Sequence, residues 1–379
     1  MQQGKPILCV VGARPNFMKM ASVLPALQAE PNALPTMLIH TGQHYDAAMK
    51  HAFFDQLSIP EPDVDLEVGS GSHAVQTALV MQRFEQVIDE HGAAAILVVG
   101  DVNSTIATAL VAVKKSIPVI HVEAGLRSND RRMPEEINRI LTDQISDFLF
   151  TTERDAEANL TREGIDAAKV HFVGNVMIDT LLRLLPRAAT AEHLKQRFSL
   201  PEGVSLNKGD YGLITLHRPS NVDDPVVLER LLRTLKEISE QLPLLFPVHP
   251  RTRGQMEAAG LQELVDQTPH IVTLPPVGYL EMLGLMSRAR VVLTDSGGIQ
   301  EETTALGIPC ITLRENTERP ITVTHGTNTM VGQDADKISE AFNQIMQNGG
   351  KAGRIPELWD GQAAGRIADQ LKQWYRTLG

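Results

Sequence analysis

Two carboxylates stand where apolar segments end in the first half of the chain. Glu123 follows the mostly apolar residues from Ile117 to Val122, and Asp101 follows Ala93 to Val99 and one glycine. Continuous apolar runs of this length are typical of parallel strands that are buried on both faces. The carboxyl ends of such strands form the edge at which open α/β sheets bind ligands. We therefore expect both carboxylates at one ligand-binding edge, where they could act as acid/base groups.

The helix that follows Glu123 adds further charge. A proline opens it, Glu135 and Glu136 come next, and Arg139 lies one turn later. The same pattern suits an ordinary capped helix, with acids in the first turn and Glu135 paired with Arg139. Asp101 has a similar alternative as the N-cap of its own following helix. Capping leaves Glu123 unexplained, so we interpret this connection as part of a site.

The second half of the chain has two further candidates at predicted strand ends. His217 follows the strand from Tyr211 to Leu216, and Ser296 begins a Ser-Gly-Gly turn after the strand from Val291 to Thr294. Bare N–H groups at the start of the next helix could bind a diphosphate, and Glu302 in that helix could accept hydrogen bonds from ribose hydroxyls. A structural role for His217 and helix capping by Ser296 are the alternatives.

The first predicted strand, Ile7 to Val11, leads into a loop that contains Arg14, and Lys19 lies one turn into the next helix. These cations could clamp a phosphate, or they could form a solvated basic pair. The loop lacks the three spaced glycines of a dinucleotide fingerprint, which disfavours a nicotinamide cofactor. His40 and His44 are separated by a glycine that disfavours a shared helix, so we predict no metal site there.

The alternation of strand and helix patterns runs twice along the 379 residues. Two such arrays predict two Rossmann-like, doubly wound α/β domains that face each other across a cleft. We predict a first domain over 1–175 and a second over 176–360. We expect the helix over 361–379 to pack on the body of the protein, and the first domain is one candidate surface for this packing. The segment from 60 to 72 is predicted to be a mobile connection.

Composition argues against several classes of function. The formal net charge is -11 and the chain has no block of lysine and arginine, which disfavours nucleic acid as a partner. Apolar runs are too short for a membrane span, and the N-terminus lacks the features of a signal peptide. We therefore predict a cytoplasmic protein without a membrane partner. Cys9 and Cys310, the two cysteines, are predicted to be small buried residues of strands.

Eight short motifs, in order along nearly the whole chain, carry a family resemblance. They are Gly12-Ala13-Arg14-Pro15 with Lys19, Gly42-Gln43-His44, Gly100-Asp101, His121 to Arg127, Pro134 to Glu136 with Asn138-Arg139, His217-Arg218, Asp295 to Glu302, and Thr317 to Pro320. Together they resemble the non-hydrolysing UDP-N-acetylglucosamine 2-epimerases. The resemblance implies the glycosyltransferase-B type of fold, a homodimer, and interconversion of UDP-GlcNAc and UDP-ManNAc for cell-surface polysaccharides. It implies no metal and no other cofactor.

The resemblance also implies roles for individual residues. Its catalytic positions fall on Asp101, Glu123, Glu135, Arg139 and His217. Its UDP contacts fall on Arg14, Lys19, Ser296, Gly297, Gly298, Glu302 and Arg319. Some relatives bind a second UDP-GlcNAc as an activator, and the matching positions are Gln43, His44, Glu136 and His249.

The chemistry of the family suits these residue types. UDP is eliminated as the C2 proton is removed, and it then adds back to the 2-acetamidoglucal while a proton reaches the other face of C2. Oxocarbenium character at C1 calls for nearby carboxylate charge, as in glycoside hydrolysis. We assign Asp101 and Glu135 as the acid/base pair and Glu123 as charge stabiliser or relay. His217, Arg14 and the helix start at Ser296 are assigned to the departing diphosphate.

Four other functions compete with this interpretation. A hydrolysing epimerase would release ManNAc and UDP, and a related 2-epimerase would act on a UDP-diacetamido-uronic acid. A protein that only binds a nucleotide sugar would have no use for the full set of carboxylates. A glycosyltransferase of the same fold would leave the cluster of the first domain without a task. Ser220 and Met282 depart from residues common in relatives, which leaves the sugar contacts open.

Overall fold

The chain forms two compact α/β units in a computed structural model. The structure describes residues 4–42, 54–200 and 204–378. The first unit combines Met1–Arg183 with Glu357–Gly379, and the second is Leu184–Pro356. None of the helices in the described ranges combines the length and the hydropathy of a membrane-spanning segment.

The first unit is built on a seven-stranded parallel sheet. Its strands are β1 (Ile7–Val11), β2 (Thr36–His40), β3 (Val64–Asp65), β4 (Ala95–Val99), β5 (Val119–Ala124), β6 (Phe148–Thr151) and β7 (Val170–Phe172). Its helices up to the second unit are α1 (Arg14–Gln28), α2 (His73–His91), α3 (Asn103–Lys114), α4 (Pro134–Ile145), α5 (Arg154–Arg162) and α6 (Val176–Leu184).

The strand order of this sheet is β3-β2-β1-β4-β5-β6-β7, and every neighbouring pair is parallel. The order reverses between β1 and β4, which is the point where doubly wound sheets open a crevice at their carboxyl edge. β1, β4 and β5 are buried throughout, as expected for strands covered on both faces. β3 lies within the segment predicted to be a mobile connection, and its ladder with β2 shows that two residues of that segment form a strand instead.

The second unit repeats the same plan on a six-stranded sheet. Its strands are β8 (Gly212–Thr215), β9 (Leu244–Pro247), β10 (Ile271–Leu274), β11 (Val291–Thr294), β12 (Cys310–Thr312) and β13 (Asn328–Met330). Its helices are α7 (Ala191–Phe198), α8 (Pro219–Val222), α9 (Pro225–Ser239), α10 (Pro250–Ala258), α11 (Gln262–Asp266), α12 (Tyr279–Met286), α13 (Gly297–Leu306), α14 (Pro320–Thr324) and α15 (Ala335–Asn348). The order β10-β9-β8-β11-β12-β13 places its reversal between β8 and β11.

The boundary of the first unit lies beyond the position predicted from the sequence, because α6 packs on α1. Ser22 Oγ donates to Val176 O at 3.1 Å, and Thr180 Oγ1 donates to Met18 O at 2.7 Å. The last helix, α16 (Ala363–Arg376), also packs on α1 and so belongs to the first unit. Both helices therefore complete the layer around the first sheet.

Candidate active site

Asp101 lies just beyond β4, and a buried arginine of α4 holds its carboxylate. Arg139 donates to Asp101 Oδ2 from Nε at 3.0 Å and from Nη2 at 2.8 Å, and Asn138 Nδ2 donates to the Asp101 carbonyl at 2.9 Å. Arg139 also donates to Glu136. The N-cap position of α3 falls on Val102, so Asp101 is not the cap that we considered as its alternative role. The result is an oriented carboxylate that is still partly exposed.

Glu123 lies at the end of β5 and forms a buried ion pair with Lys19 of α1. The distance from Lys19 Nζ to Glu123 Oε1 is 2.7 Å, and both residues are almost fully buried. Gly100 makes room for the pair, because a Cβ atom at that residue would lie 2.6 Å from Lys19 Nζ. Lys19 was predicted to bind a phosphate, but here its charge is matched by Glu123 within the first unit.

The two glutamates at the start of α4 occupy different environments. Glu136 is buried, and its carboxylate accepts the backbone N–H groups of Ser128 at 2.9 Å and Asn129 at 2.8 Å. It therefore fixes the loop that leads into α4, a structural task that we had not predicted. Glu135 is half-buried in the first turn of the same helix. Only Glu135 is exposed enough to meet a ligand directly.

Asp143 of α4 organises a buried network that the sequence analysis missed. His121 donates from Nδ1 to Asp143 Oδ1 at 2.7 Å and from Nε2 to Gly100 O at 2.8 Å. Asp143 Oδ2 accepts the Gly125 N–H at 3.1 Å and pairs with Arg127 Nη2 at 2.7 Å. Burial raises the pKa of Asp143, but the bond from His121 and the charges of His121 and Arg127 hold it below its ordinary value. Asp143 is therefore a buried carboxylate ion with three partners, His121, Gly125 and Arg127.

A second histidine and aspartate meet at the switch point of the second sheet. His217 follows β8 and Asp295 follows β11, and the distance from His217 Nδ1 to Asp295 Oδ1 is 2.8 Å. Asp295 also accepts the N–H groups of His217 and Arg218, both at 2.9 Å, and Asn221 Nδ2 at 3.2 Å. Burial raises the pKa of Asp295, but the bond and charge of His217 outweigh it and keep the carboxyl ionised. The side chain of His217 is 37% exposed.

Asp295 is a further candidate site residue, to which the sequence analysis gave no role of its own although a signal was present. It directly follows an apolar strand, as Glu123 does. A buried carboxylate that binds Nδ1 of a histidine selects the tautomer of the ring and fixes its orientation. The pair can thus present Nε2 of His217 to a ligand at the carboxyl edge of the second sheet.

The helix start at α13 has the geometry of an anion site. Ser296 occupies the N-cap position, and its side chain makes no capping hydrogen bond within the described residues. Its backbone N–H donates to Thr294 Oγ1 at 2.9 Å. Gly297 leaves room for Glu318, since a Cβ atom at that position would lie 2.6 Å from Glu318 Oε1. Gly298 follows and is half-buried. Backbone N–H groups at such a helix start attract phosphate.

Two further residues predicted to contact UDP have partners within the second unit. Glu302 is buried in α13 and accepts the hydroxyl of Tyr279 at 2.8 Å. Arg319 is also buried, with Nε 2.8 Å from Glu301 Oε2 and Nη1 2.8 Å from Glu318 Oε1. These two carboxylates offset the charge of Arg319, so its contribution to a diphosphate site is smaller than a free cation would give.

The remaining predicted residues belong to separate parts of the chain. Arg14 is exposed at the first position of α1. His249 is the N-cap of α10, and its ring centroid lies 5.7 Å from that of His217. Gln43 and His44, predicted to contact an activator, lie outside the described residues. In the part of the chain that the structure describes, no group of three or more His, Cys, Asp and Glu side chains is arranged to hold a metal ion.

Comparison with known proteins identifies the family. Residues 26–372 match the family profile described as UDP-N-acetylglucosamine 2-epimerase. The chain belongs to this family. It is 44% identical over 372 residues to the UDP-2,3-diacetamido-2,3-dideoxy-D-glucuronate 2-epimerase of Pseudomonas aeruginosa, covering 96% of this chain and 99% of that protein. It is 43% identical over 339 residues to a UDP-N-acetylglucosamine 2-epimerase homolog of Methanococcus maripaludis, covering 89% of this chain and 92% of that protein.

Solved structures of the family agree with the fold. The UDP-GlcNAc 2-epimerase of Methanocaldococcus jannaschii, in complex with UDP-GlcNAc and UDP, is 40% identical and superposes with a TM-score of 0.87. That match covers 97% of this chain and 99% of the other. Members of the family have the glycosyltransferase-B type of fold. The predicted family and the predicted pair of doubly wound α/β domains are thus confirmed.

Proposed function

We propose that this member of the epimerase family interconverts UDP-GlcNAc and UDP-ManNAc by reversible inversion at C2, without net hydrolysis. The observation that supports it most is the pair of carboxylates at the ends of adjacent strands, Asp101 after β4 and Glu123 on β5. Each is held by a buried cation, Arg139 or Lys19. Cations placed in this way orient the carboxylates near a reacting sugar.

In the proposed reaction, the first unit moves the protons. A carboxylate takes the C2 proton while the electron pair of that C–H bond forms the C1–C2 double bond and the C1–O bond breaks toward UDP. UDP then adds back to C1 as a second acid delivers a proton to the opposite face of C2. Asp101 and Glu135 are the proposed acid/base pair. Lys19 offsets the negative charge of Glu123. This favours a role for Glu123 as a proton relay over a role as an isolated charge stabiliser.

The second unit supplies the proposed contacts of the departing UDP. Backbone N–H groups at the start of α13 and the ring of His217 stabilise the negative charge that develops on the diphosphate. Glu302, whose carboxylate is oriented by Tyr279, accepts the ribose hydroxyls. Arg14 of the first unit is a further proposed cation for the diphosphate.

A diacetamido-uronic acid sugar is a second candidate substrate. The Pseudomonas aeruginosa relative, at 44% identity, is named for that substrate and covers almost the whole chain. The residues assigned to C2 chemistry would serve either sugar, because they act on atoms that the two substrates share. Comparing kcat/KM on UDP-GlcNAc and on the UDP-diacetamido-uronic acid decides between them.

The decisive experiment follows deuterium from heavy water. Incubation of the purified protein with UDP-GlcNAc in heavy water should place deuterium at C2 and produce UDP-ManNAc. Asp101→Asn should abolish this exchange and retain UDP binding measured by calorimetry. Stoichiometric release of free UDP and ManNAc would instead identify a hydrolysing enzyme. Wild-type protein without exchange on either sugar would refute the proposal.

The family resemblance and the sequence motivate four additional proposals. The protein acts in the cytoplasm as a homodimer that supplies cell-surface polysaccharide synthesis, and a second UDP-GlcNAc activates it through Gln43, His44 and His249. Glu136 is a weaker candidate for that activator site, because its carboxylate already holds the loop before α4. Gln43→Ala should remove cooperativity and retain the maximal rate, and unchanged hyperbolic kinetics in both proteins would contradict activation.

A further inference from the structure

The backbone at Glu123 has a conformation that side-chain-bearing residues rarely adopt. Its φ angle is +73°, and among the described residues it is the only one with positive φ that lies inside a strand. The ladder between β5 and β6 also shifts register between Val122 and Ala124, so Glu123 forms a bulge. Bulges redirect a side chain, and strained backbone persists only where surrounding contacts hold it. Some part of the structure must therefore stabilise this conformation.

One carboxylate contacts the chain on both sides of the bulge. Two residues before Glu123, His121 donates to Asp143 Oδ1 at 2.7 Å. Two residues after it, the Gly125 N–H donates to Asp143 Oδ2 at 3.1 Å. Arg127 pairs with the same oxygen at 2.7 Å, and the side chain of Asp143 is fully buried. Asp143 thus fixes the strand before the bulge and the turn after it.

We propose that Asp143 is a positioning residue for the reaction: it holds Glu123 in its left-handed backbone conformation and so aims the Glu123 carboxylate at Lys19 and the sheet edge. The kinetic part of this inference rests on the proposed function. The effect passes through backbone geometry, because Asp143 binds the residues that flank Glu123. Misplacement of a reacting group by about 1 Å can lower a rate roughly 10²-fold.

The simpler alternative is that Asp143 only stabilises the first unit. Asp143→Asn keeps the shape of the side chain and removes its charge and one acceptor. The matched control is Asp179→Asn, because Asp179 is another buried carboxylate of this unit and accepts the backbone N–H of Ala364 at 2.7 Å. Asp143→Asn should lower the melting temperature, whereas Asp179→Asn should change it less, because burial raises the pKa of Asp179 and its charge therefore costs stability. Only Asp143→Asn should also lower kcat, by roughly 10²-fold, while KM and UDP affinity change little.

A crystal structure of Asp143→Asn provides a readout that does not depend on activity. We expect Glu123 to leave positive φ and its carboxylate to separate from Lys19. The inference is overturned if Glu123 keeps φ near +73°, or if Asp143→Asn loses no more kcat than Asp179→Asn. If Asp143→Asn does not fold, His121→Gln is the second variant. It removes the contact of Asp143 with the strand before the bulge and should lower kcat about tenfold. Wild-type kcat in that variant would likewise overturn the inference.

The two readouts separate failure of this inference from failure of the proposed function. A wild-type protein that turns over neither sugar nucleotide contradicts the proposed function, and the φ angle of Glu123 in the variant still tests the positioning. Normal wild-type turnover with an unaltered Glu123 in Asp143→Asn contradicts the positioning alone.

Discussion

Each unit contains a histidine whose Nδ1 binds a buried aspartate, and the two pairs differ at the other ring nitrogen. In the first unit, His121 binds Asp143 at 2.7 Å, and its Nε2 donates to Gly100 O at 2.8 Å. His121 has no exposed surface. In the second unit, His217 binds Asp295 at 2.8 Å and is 37% exposed. Within the described residues, no hydrogen bond to Nε2 of His217 is present.

This difference shows how the same two residue types can serve unlike purposes. The carbonyl of Gly100 accepts a hydrogen bond from the Nε2–H group of His121. Loss of that proton would leave a buried acceptor without a donor. His217 can exchange a proton or bind a ligand at Nε2 without such a cost. We therefore expect His121 to maintain the backbone and His217 to act on the ligand.

The largest expected effect is that of His217→Gln, which should lower kcat for epimerisation by roughly 10²- to 10⁴-fold, the range of an acid/base or charge-stabilising group. The melting temperature should also fall, because the buried Asp295 carboxylate loses the bond and charge of His217 that keep its pKa low. Steady-state kinetics and thermal unfolding measure the two quantities. His325→Gln is the control, since the ring of that histidine bonds only its neighbour Thr324 among the described residues. Wild-type kcat in His217→Gln would remove His217 from the chemistry.

Asp295→Asn should have the next largest effect, because it leaves His217 in place and releases its orientation. We expect kcat to fall by about 10- to 100-fold, as for partners that orient a functional histidine. Rates measured over a range of pH for the wild type and the variant provide the comparison. A pH–rate profile that matches the wild type in shape and height would show that Asp295 only anchors the backbone of His217 and Arg218.

The ends of the strands could be predicted from the sequence, whereas the pairing of each histidine with its aspartate could not. Apolar runs located β4, β5, β8 and β11, and therefore the positions of Asp101, Glu123 and His217 at the carboxyl edges. Asp295 lies 78 residues from His217 in sequence, and Asp143 lies 22 from His121. Local periodicity does not encode which distant acceptor a polar side chain reaches.

Short strands and loop-fixing carboxylates were missed for a related reason. β3 has two residues and β13 has three, too few for an alternating or continuous apolar pattern. Glu136 follows the pattern of a helix start, and the sequence alone does not show that its carboxylate points back to Ser128 and Asn129. The ion pair between Lys19 and Glu123 likewise depends on strand order, which brings α1 next to the end of β5.

Acid unfolding tests what the two histidine–aspartate pairs have in common. Asp143 and Asp295 both have pKa values below the ordinary range in the folded protein. Their ionised forms therefore contribute stability above the unfolded pKa of about 3.9, and this contribution is lost as pH falls through the lower folded pKa. Asp143→Asn should cost about 3 kcal/mol at pH 7 and make the acid dependence shallower. Urea unfolding at pH 7 and below pH 4 measures both.

Stability should depend on acid in the same direction for both aspartates. The acid dependence therefore reports their contribution to folding and not a role in the reaction. Asp295→Asn should also flatten the acid dependence, but its loss of kcat at pH 7 should persist under conditions where the protein is fully folded. An acid dependence in Asp143→Asn that parallels the wild type would mean that the Asp143 carboxyl titrates alike in the folded and unfolded states. The buried pair would then contribute nothing to acid stability.

The smallest expected effect is that of Tyr279→Phe, which tests whether the second unit also contains groups that only bind. The variant removes the hydroxyl that donates to Glu302 at 2.8 Å and keeps the ring. Loss of one such bond, about 1 kcal/mol, should weaken UDP binding roughly fivefold. Calorimetry with UDP and steady-state kinetics provide the comparison, and KM should rise more than kcat falls. A loss of kcat as large as that in Asp295→Asn would instead extend the chemical role from His217 to Glu302, because a purely binding contact stabilises ground state and transition state alike.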